Sequence, residues 1–276
     1  MGRLIFESVG DLDLKQTLDC GQCFRWREEN DGSFFGVVRG RAARASMDGG
    51  RLILDGAQEA DRQMWSDYFD LALDYGAIRR RLSAVHPAMA EAERYAPGIR
   101  ILRQEPFEAL ISFIISQNNN IKRITGIVGR LCEGFGEPIG EGMYAFPTPE
   151  RLAGLSPDDL APIRAGFRHR YIIDAAQRVA SGEIDLEAIR KMPYDEARAQ
   201  LMRITGVGVK VADCVLLYGL HRLEGFPLDV WMKRAMATLF GGMDSSAFGD
   251  CAGVAQQMIF HYARMHPEAF SDAGKA

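Results

Sequence analysis

Gly206, Gly208 and Lys210 stand close together in LMRITGVGVKVADCVLLYGL (201–220), and Asp229 follows in FPLDVW (226–231). Glycine turns sharply and leaves backbone N–H groups bare. Bare N–H groups at a helix N-terminus attract a phosphate. The two glycines that bracket Val207 therefore offer a sequence-independent grip on a nucleic-acid backbone. Lys210 begins the helix that follows. The positive end of a helix disfavours a protonated amine, and partial burial does so further. A lysine held neutral is a nucleophile. Asp229 suits the N-cap of the next helix, VWMKRAMATLF (230–240). A GxG pair alone fits a plain turn, and glycine hairpins between helices also serve proteins that only hold DNA. The lysine, the VADC that follows it and the downstream Pro227–Asp229 shift the balance toward catalysis.

These residues need elements to position them. CFRWRE (23–28), FFGVVRG (34–40) and RLILDG (51–56) read as strands, separated by the turn clusters NDGS and DGG. From about Glu59 the periodicity becomes helical, in IKRITGIVGRL, RYIIDAAQRVA, VADCVLLYGL, VWMKRAMATLF and VAQQMIFHYAR. The expected fold is α+β: a small antiparallel β-sheet domain over 1–103 with trailing helices, then a larger all-helical domain over 104–276. The helix–hairpin–helix falls at 193–220, and the site is expected in the cleft where the two domains meet.

Composition narrows the class. A chain of 276 residues with 47% hydrophobic and 25% charged residues fits a soluble globular protein. No apolar run approaches the roughly 18 residues of a membrane span, and MGRLIFESVG lacks the apolar core of a signal peptide. An intracellular, cytoplasmic protein is expected. The five cysteines are an odd count and fit free thiols in a reducing compartment. Cys20 and Cys23 form a CxxC with no second pair to complete a zinc site, and no cysteine cluster is present to hold an iron–sulfur centre. The net charge of −4 argues against indiscriminate DNA coating. Local basic groups (Lys122, Arg123 and Arg130; Arg164, Arg168, His169 and Arg170) suit an enzyme that must release DNA, though each arginine alone also fits a solvated helix face.

GQCFRW (21–26), ISFIISQNNNIKRITGIVGRLCEGFG (111–136), GFRHRY (166–171), GVGVKVADC (206–214) and PLDV (227–230) occur in this order. Together the chain resembles the 8-oxoguanine DNA glycosylase/AP lyase family of the helix–hairpin–helix glycosylases. The resemblance extends over nearly the whole chain, and the NNN and KVADC segments carry its specificity. It implies that Lys210 attacks C1′ of the damaged nucleotide and forms a Schiff base, after which β-elimination cuts the strand. It implies that Asp229 stabilises the cationic sugar that develops as the base leaves. The base must leave the stack. Gly21 then matches the residue whose carbonyl accepts N7–H of oxidised guanine, Cys214 and Phe260 the two faces around the base, and Gln256 the reader of its Watson–Crick edge. On spacing alone, Cys214 and Phe260 fit ordinary core positions.

The same resemblance assigns Asn118, Arg123 and Arg168 to the orphaned cytosine, where an arginine fork bonds base acceptors in pairs. It makes Phe167 an aromatic wedge. The main-chain carbonyls of Met202, Ile204 and Val207 match a structural monovalent or divalent cation site at the hairpin, and no catalytic cofactor is implied. The expected partner is double-stranded DNA containing oxidised guanine, met by a monomer away from any membrane. Two positions depart from the pattern. Trp231 stands where a phosphate-contacting histidine is usual, and indole donates one hydrogen bond without carrying charge. Gln117 replaces a small residue. The short stretch after Phe260, with no basic localisation run, points to a bacterial-type member. The alternatives are a related glycosylase for another damaged purine and a non-catalytic DNA-binding hairpin. Lys210 speaks against a monofunctional alkyl-purine enzyme, and Lys210 with Asp229 against the second alternative.

Overall fold

The computed structural model describes residues 2–140 and 142–267. β1 (Arg3–Phe6), β2 (Trp26–Glu28), β3 (Phe34–Val38), β4 (Arg41–Asp48) and β5 (Arg51–Asp55) form one antiparallel sheet in the order β1-β5-β4-β3-β2. Two tight turns set its register. Arg39 and Gly40 join Val38 to its partner Arg41, and Gly49 and Gly50 join Asp48 to Arg51. All four turn residues have positive φ, the geometry whose twist matches that of the strands. The sequence signal missed β1 and β4. In β4 the inward residues are Ala43 and Ala45, too small to mark an alternation of apolar and polar side chains.

One face of the sheet is closed by an aromatic cluster of Trp26, Trp65, Tyr68 and Phe69. Trp26 donates its indole N–H to the Tyr68 hydroxyl at 2.7 Å, which satisfies both buried polar groups.

The rest of the chain is mainly helical. The helix Pro106–Ser116 is buried from Phe107 to Ile115 and forms the axis of this part. It packs against the helices Ile121–Phe135, Arg168–Ala180 and Val209–Cys214. One two-stranded ribbon, Pro138–Gly140 with Met143–Tyr144, interrupts the helices. The helices Tyr75–Ser83 and Pro87–Tyr95 also join the helical core. The two cores meet at Ile101, which belongs to the helical one, and Leu102, which belongs to the sheet. Among the described residues no helix is long and apolar enough to cross a membrane.

A polar knot ties the parts together. The Asp70 carboxylate accepts from Tyr75 Oη at 3.0 Å and Arg103 Nε at 2.8 Å, and lies 3.1 Å from His221 Nε2. Arg100 donates to the Asp70 carbonyl at 2.8 Å and pairs with Asp11 at 2.6 Å. Burial pushes the Asp70 carboxyl up, but His221 and Arg103 outweigh it, and the group sits below the usual carboxylate range.

Candidate active site

The hairpin is built from the helix Tyr194–Leu201, a turn, and the helix Val209–Cys214, which runs on as a π-helical stretch Val215–Gly219. Its helices are locked by Asp213, which accepts from Arg198 Nε at 2.9 Å and Tyr194 Oη at 3.0 Å. Burial holds that carboxyl above its usual range in spite of Arg198. The turn is held from outside by Asp174, which accepts the Thr205 N–H at 2.7 Å. Gly206 has φ +81°, and a Cβ there would lie 2.4 Å from the Tyr171 ring. No other residue fits. Gly208 caps the second helix and faces open space. Met202, Ile204 and Val207 all lie on this turn, and the Ile204 carbonyl already accepts the Val207 N–H at 3.0 Å. A carbonyl has two lone pairs, so it keeps one for a cation.

Lys210 stands half-buried in the first turn of the second helix. Its Nζ sits 5.6 Å from the centroid of the Phe113 ring. Among the described residues no carboxylate lies within ion-pair distance of that amine. Asp229 reaches the same pocket from the N-cap of the helix Val230–Leu239, where its Oδ1 accepts the Met232 N–H at 2.7 Å. Its second oxygen is left for the pocket.

Gly21, Lys210, Cys214, Asp229, Gln256 and Phe260 line one narrow pocket of about 50 Å³. It opens into a cleft of about 380 Å³ bordered by Asn119, Asn120 and Trp231. The proposed nucleophile, carboxylate and base-contacting residues thus come together from four separate segments. Gly21 has φ +85°, and a Cβ there would approach Ile121 Cδ1 to 3.1 Å and Phe260 Cε1 to 3.7 Å. Its loop is anchored by Gln22, which is fully buried, donates to the carbonyls of Thr17 (2.9 Å) and Arg100 (2.8 Å), and accepts the Leu102 N–H (3.0 Å). The Cys214 thiol is buried, and burial pushes it up to about 11 although Lys210 beside it favours the thiolate. It therefore meets the pocket as a neutral, polarizable surface at neutral pH. Cys20 and Cys23 are buried free thiols, and burial lifts Cys20 to about 12.

Gln256 is almost fully buried, with its amide between Tyr218 Oη at 2.9 Å and the Pro227 carbonyl at 3.3 Å. Sequence reasoning missed Tyr218, Phe113, Gln22 and Gln257. A signal for Tyr218 was present, since 210, 214 and 218 share one helix face.

Asn118, Arg123, Phe167 and Arg168 form a second group beside the cleft. Asn118 is exposed and has φ +46°, while the Arg123 side chain projects from the first turn of its helix. That helix is capped by Asn120, which accepts the Arg123 N–H at 3.0 Å. Phe167 is 55% exposed, with the Arg168 guanidinium 4.4 Å from its ring centroid. Arg168 is placed differently from the other three. Only 3% exposed, it donates to the carbonyls of Gln117 (3.0 Å), Ala165 (3.1 Å) and Asn118 (3.3 Å). Just beyond the helix Pro106–Ser116 the chain turns at Gln117 and Asn118, and the guanidinium fork gathers both of their carbonyls. Met202, Val209, Leu228, Val230 and Trp231 are also exposed, on the segments that carry the hairpin and Asp229. Exposed apolar groups grouped in this way mark an interaction face.

A glycine hairpin between two helices, a lysine at the start of the second and a carboxylate across one pocket define a helix–hairpin–helix base-excision protein. The family model for the 8-oxoguanine DNA glycosylase N-terminal domain matches residues 4–110, and that of the HhH-GPD superfamily of base excision DNA repair proteins matches residues 111–247. A probable N-glycosylase/DNA lyase of Methanothermobacter thermautotrophicus is 30% identical over 93% of this chain and 95% of its own. The 8-oxoguanine glycosylase/lyase of Clostridium acetobutylicum, solved with double-stranded DNA containing cytosine opposite 8-oxoguanine, superposes with a TM-score of 0.90 at 35% identity, covering 96% of each chain. MBOgg1, solved with a low-affinity DNA ligand, gives a TM-score of 0.93 at 42% identity over 97% of each chain. The chain belongs to the 8-oxoguanine DNA glycosylase family.

Proposed function

We propose that this protein is a bifunctional DNA N-glycosylase and AP lyase that removes 8-oxoguanine, paired with cytosine, from duplex DNA. The observation that carries this reading is the shared pocket, lined by the Lys210 amine, which has no carboxylate at ion-pair distance among the described residues, by the half-buried Asp229 and by Gly21. The hairpin N–H groups hold a phosphate and the exposed apolar residues lie against the duplex. The extruded base enters between Cys214 and Phe260, with Gln256 along its edge and the Gly21 carbonyl accepting N7–H. Normal guanine lacks that hydrogen and would leave the carbonyl unpaired.

Lys210 Nζ attacks C1′ as the C1′–N9 bond breaks, and the base departs with the bonding electrons and takes up a proton. Asp229 offsets the positive charge on the sugar while that bond is breaking. The amine then expels the ring oxygen to give a Schiff base, loss of a proton from C2′ follows, and the C3′–O bond cleaves. A cation on the carbonyls of Met202, Ile204 and Val207 would stiffen the phosphate grip and takes no part in these steps.

Borohydride reduction of the Schiff base is the direct test. Wild-type protein should become covalently attached to a duplex carrying 8-oxoguanine opposite cytosine. Lys210→Gln should give no adduct and no base release, yet bind the same duplex with similar affinity. An undiminished adduct in Lys210→Gln would place the nucleophile elsewhere.

A further inference from the structure

The adjacent residues Gln256 and Gln257, 4% and 1% exposed, send their amides to one phenol. Tyr218 Oη lies 2.5 Å from Gln257 Oε1 and 2.9 Å from Gln256 Oε1. Beyond the phenol the two paths diverge. Gln257 Nε2 donates to the Cys20 carbonyl at 3.0 Å, which belongs to the peptide that carries Gly21. Gln256 Nε2 reaches the Pro227 carbonyl at 3.3 Å, close to Asp229. The Tyr218 ring also stacks on Phe113 at 5.2 Å and 19°, and Phe113 in turn underlies the Lys210 amine. One side chain therefore touches the supports of three walls of the pocket.

A hydroxyl has one proton to give. Burial keeps the Tyr218 proton in place. Given to Gln257, it completes an unbroken donor chain from Tyr218 through Gln257 to Cys20, with both ends of that amide satisfied. Gln256 is then left facing an oxygen lone pair with its own oxygen. Turning its amide over mends that contact and sets its oxygen against the Pro227 carbonyl instead. In either orientation Gln256 has one oxygen–oxygen repulsion, whereas Gln257 has none.

We propose that Tyr218 is a positioning residue that uses its single proton to fix Gln257 and the Cys20–Gly21 peptide, and leaves Gln256 under-bonded and ready to turn onto an incoming base. This rests on the function proposed above. It makes base discrimination, and not the amine chemistry, the property that the phenol controls.

The two are separable with duplexes that do or do not contain a base to read. Tyr218→Phe keeps the ring and its stack on Phe113 and removes only the hydroxyl. On a duplex with a preformed abasic site opposite cytosine, borohydride trapping by Tyr218→Phe should stay within about twofold of wild type. On duplexes with 8-oxoguanine or guanine opposite cytosine, the preference for the oxidised base should fall by about tenfold. Gln257→Met should show the same pattern, and the double variant should lose no more than either single one, because both break one chain. Should Tyr218→Phe fail to fold, Gln257→Met carries the same comparison alone. An unchanged preference, an equal loss on abasic and base-containing duplexes, or fully additive losses would each overturn the proposal. Failure of wild type itself to trap on either duplex would instead remove the function on which it rests.

Discussion

Arg123 and Arg168 show why two residues with one expected role separate once their surroundings are known. The Arg123 side chain is exposed, whereas Arg168 is turned onto three backbone carbonyls that include those of Gln117 and Asn118. Removing the first guanidinium leaves nothing buried and unpaired. Arg123→Ala should change unfolding free energy by less than about 0.5 kcal/mol, while lowering the preference for cytosine opposite the lesion by about 1–3 kcal/mol. Removing the second strands its carbonyls. Arg168→Ala should cost about 2–3 kcal/mol in a urea titration, since hydrogen bonds to charged groups are worth that much, and the left-handed Asn118 should lose its support with it. Loss of cytosine preference in Arg168→Ala without loss of stability would return that arginine to direct contact with the base. Sequence alone could not separate the two, because an arginine on a helix reads the same whether it reaches outward or curls under its own N-terminus.

Helix ends carry much of the chemistry in this protein. Lys210 and Asp229 each owe their position to the first turn of a helix, and Asp229 holds such a turn closed. Its two duties can be separated. Asparagine caps as well as aspartate, so Asp229→Asn should keep stability within a few tenths of a kcal/mol, whereas Asp229→Ala should lose about 1 kcal/mol. Both should lose base excision, measured by single-turnover kinetics, because neither has a carboxylate. Activity retained by Asp229→Asn would reduce the residue to its cap. The hairpin was legible because its signals are local: a glycine pair, a lysine, and apolar spacing on both sides. The pocket around it was legible only through the resemblance, since Gly21 and Gln256 are far apart in the chain. The ties that hold them, Gln22 and the Tyr218–Gln257 pair, are buried polar groups inside ordinary apolar patterns, and nothing in their spacing marks them. Strand β4 was lost for the reverse reason, with a face of alanines that gives no contrast.

Across the whole molecule, buried polar groups help tie the N-terminal segment to the helical part. Asp70 is the clearest. Its carboxyl is depressed below its ordinary value of 3.8, so the stability it adds is complete above about pH 4 and is lost as pH falls through the depressed native value. Asp70→Asn should therefore lower stability at pH 7 and flatten the acid limb of a stability–pH curve measured by denaturant titration. An acid limb as steep as that of wild type would assign the tie to other groups. The placement of Gln256 and Phe260 on the helix Ala252–Met265 has a different consequence. During synthesis Gly21, Lys210 and Asp229 leave the ribosome before the helix that completes their pocket. A chain halted short of residue 252 would contain Gly21, Lys210 and Asp229 but lack Val254, Ala255, Met258 and Ile259, all fully buried in the helical core. The helix that completes the pocket is thus also one that the core cannot do without, and a premature stop before it should cost the fold together with the site.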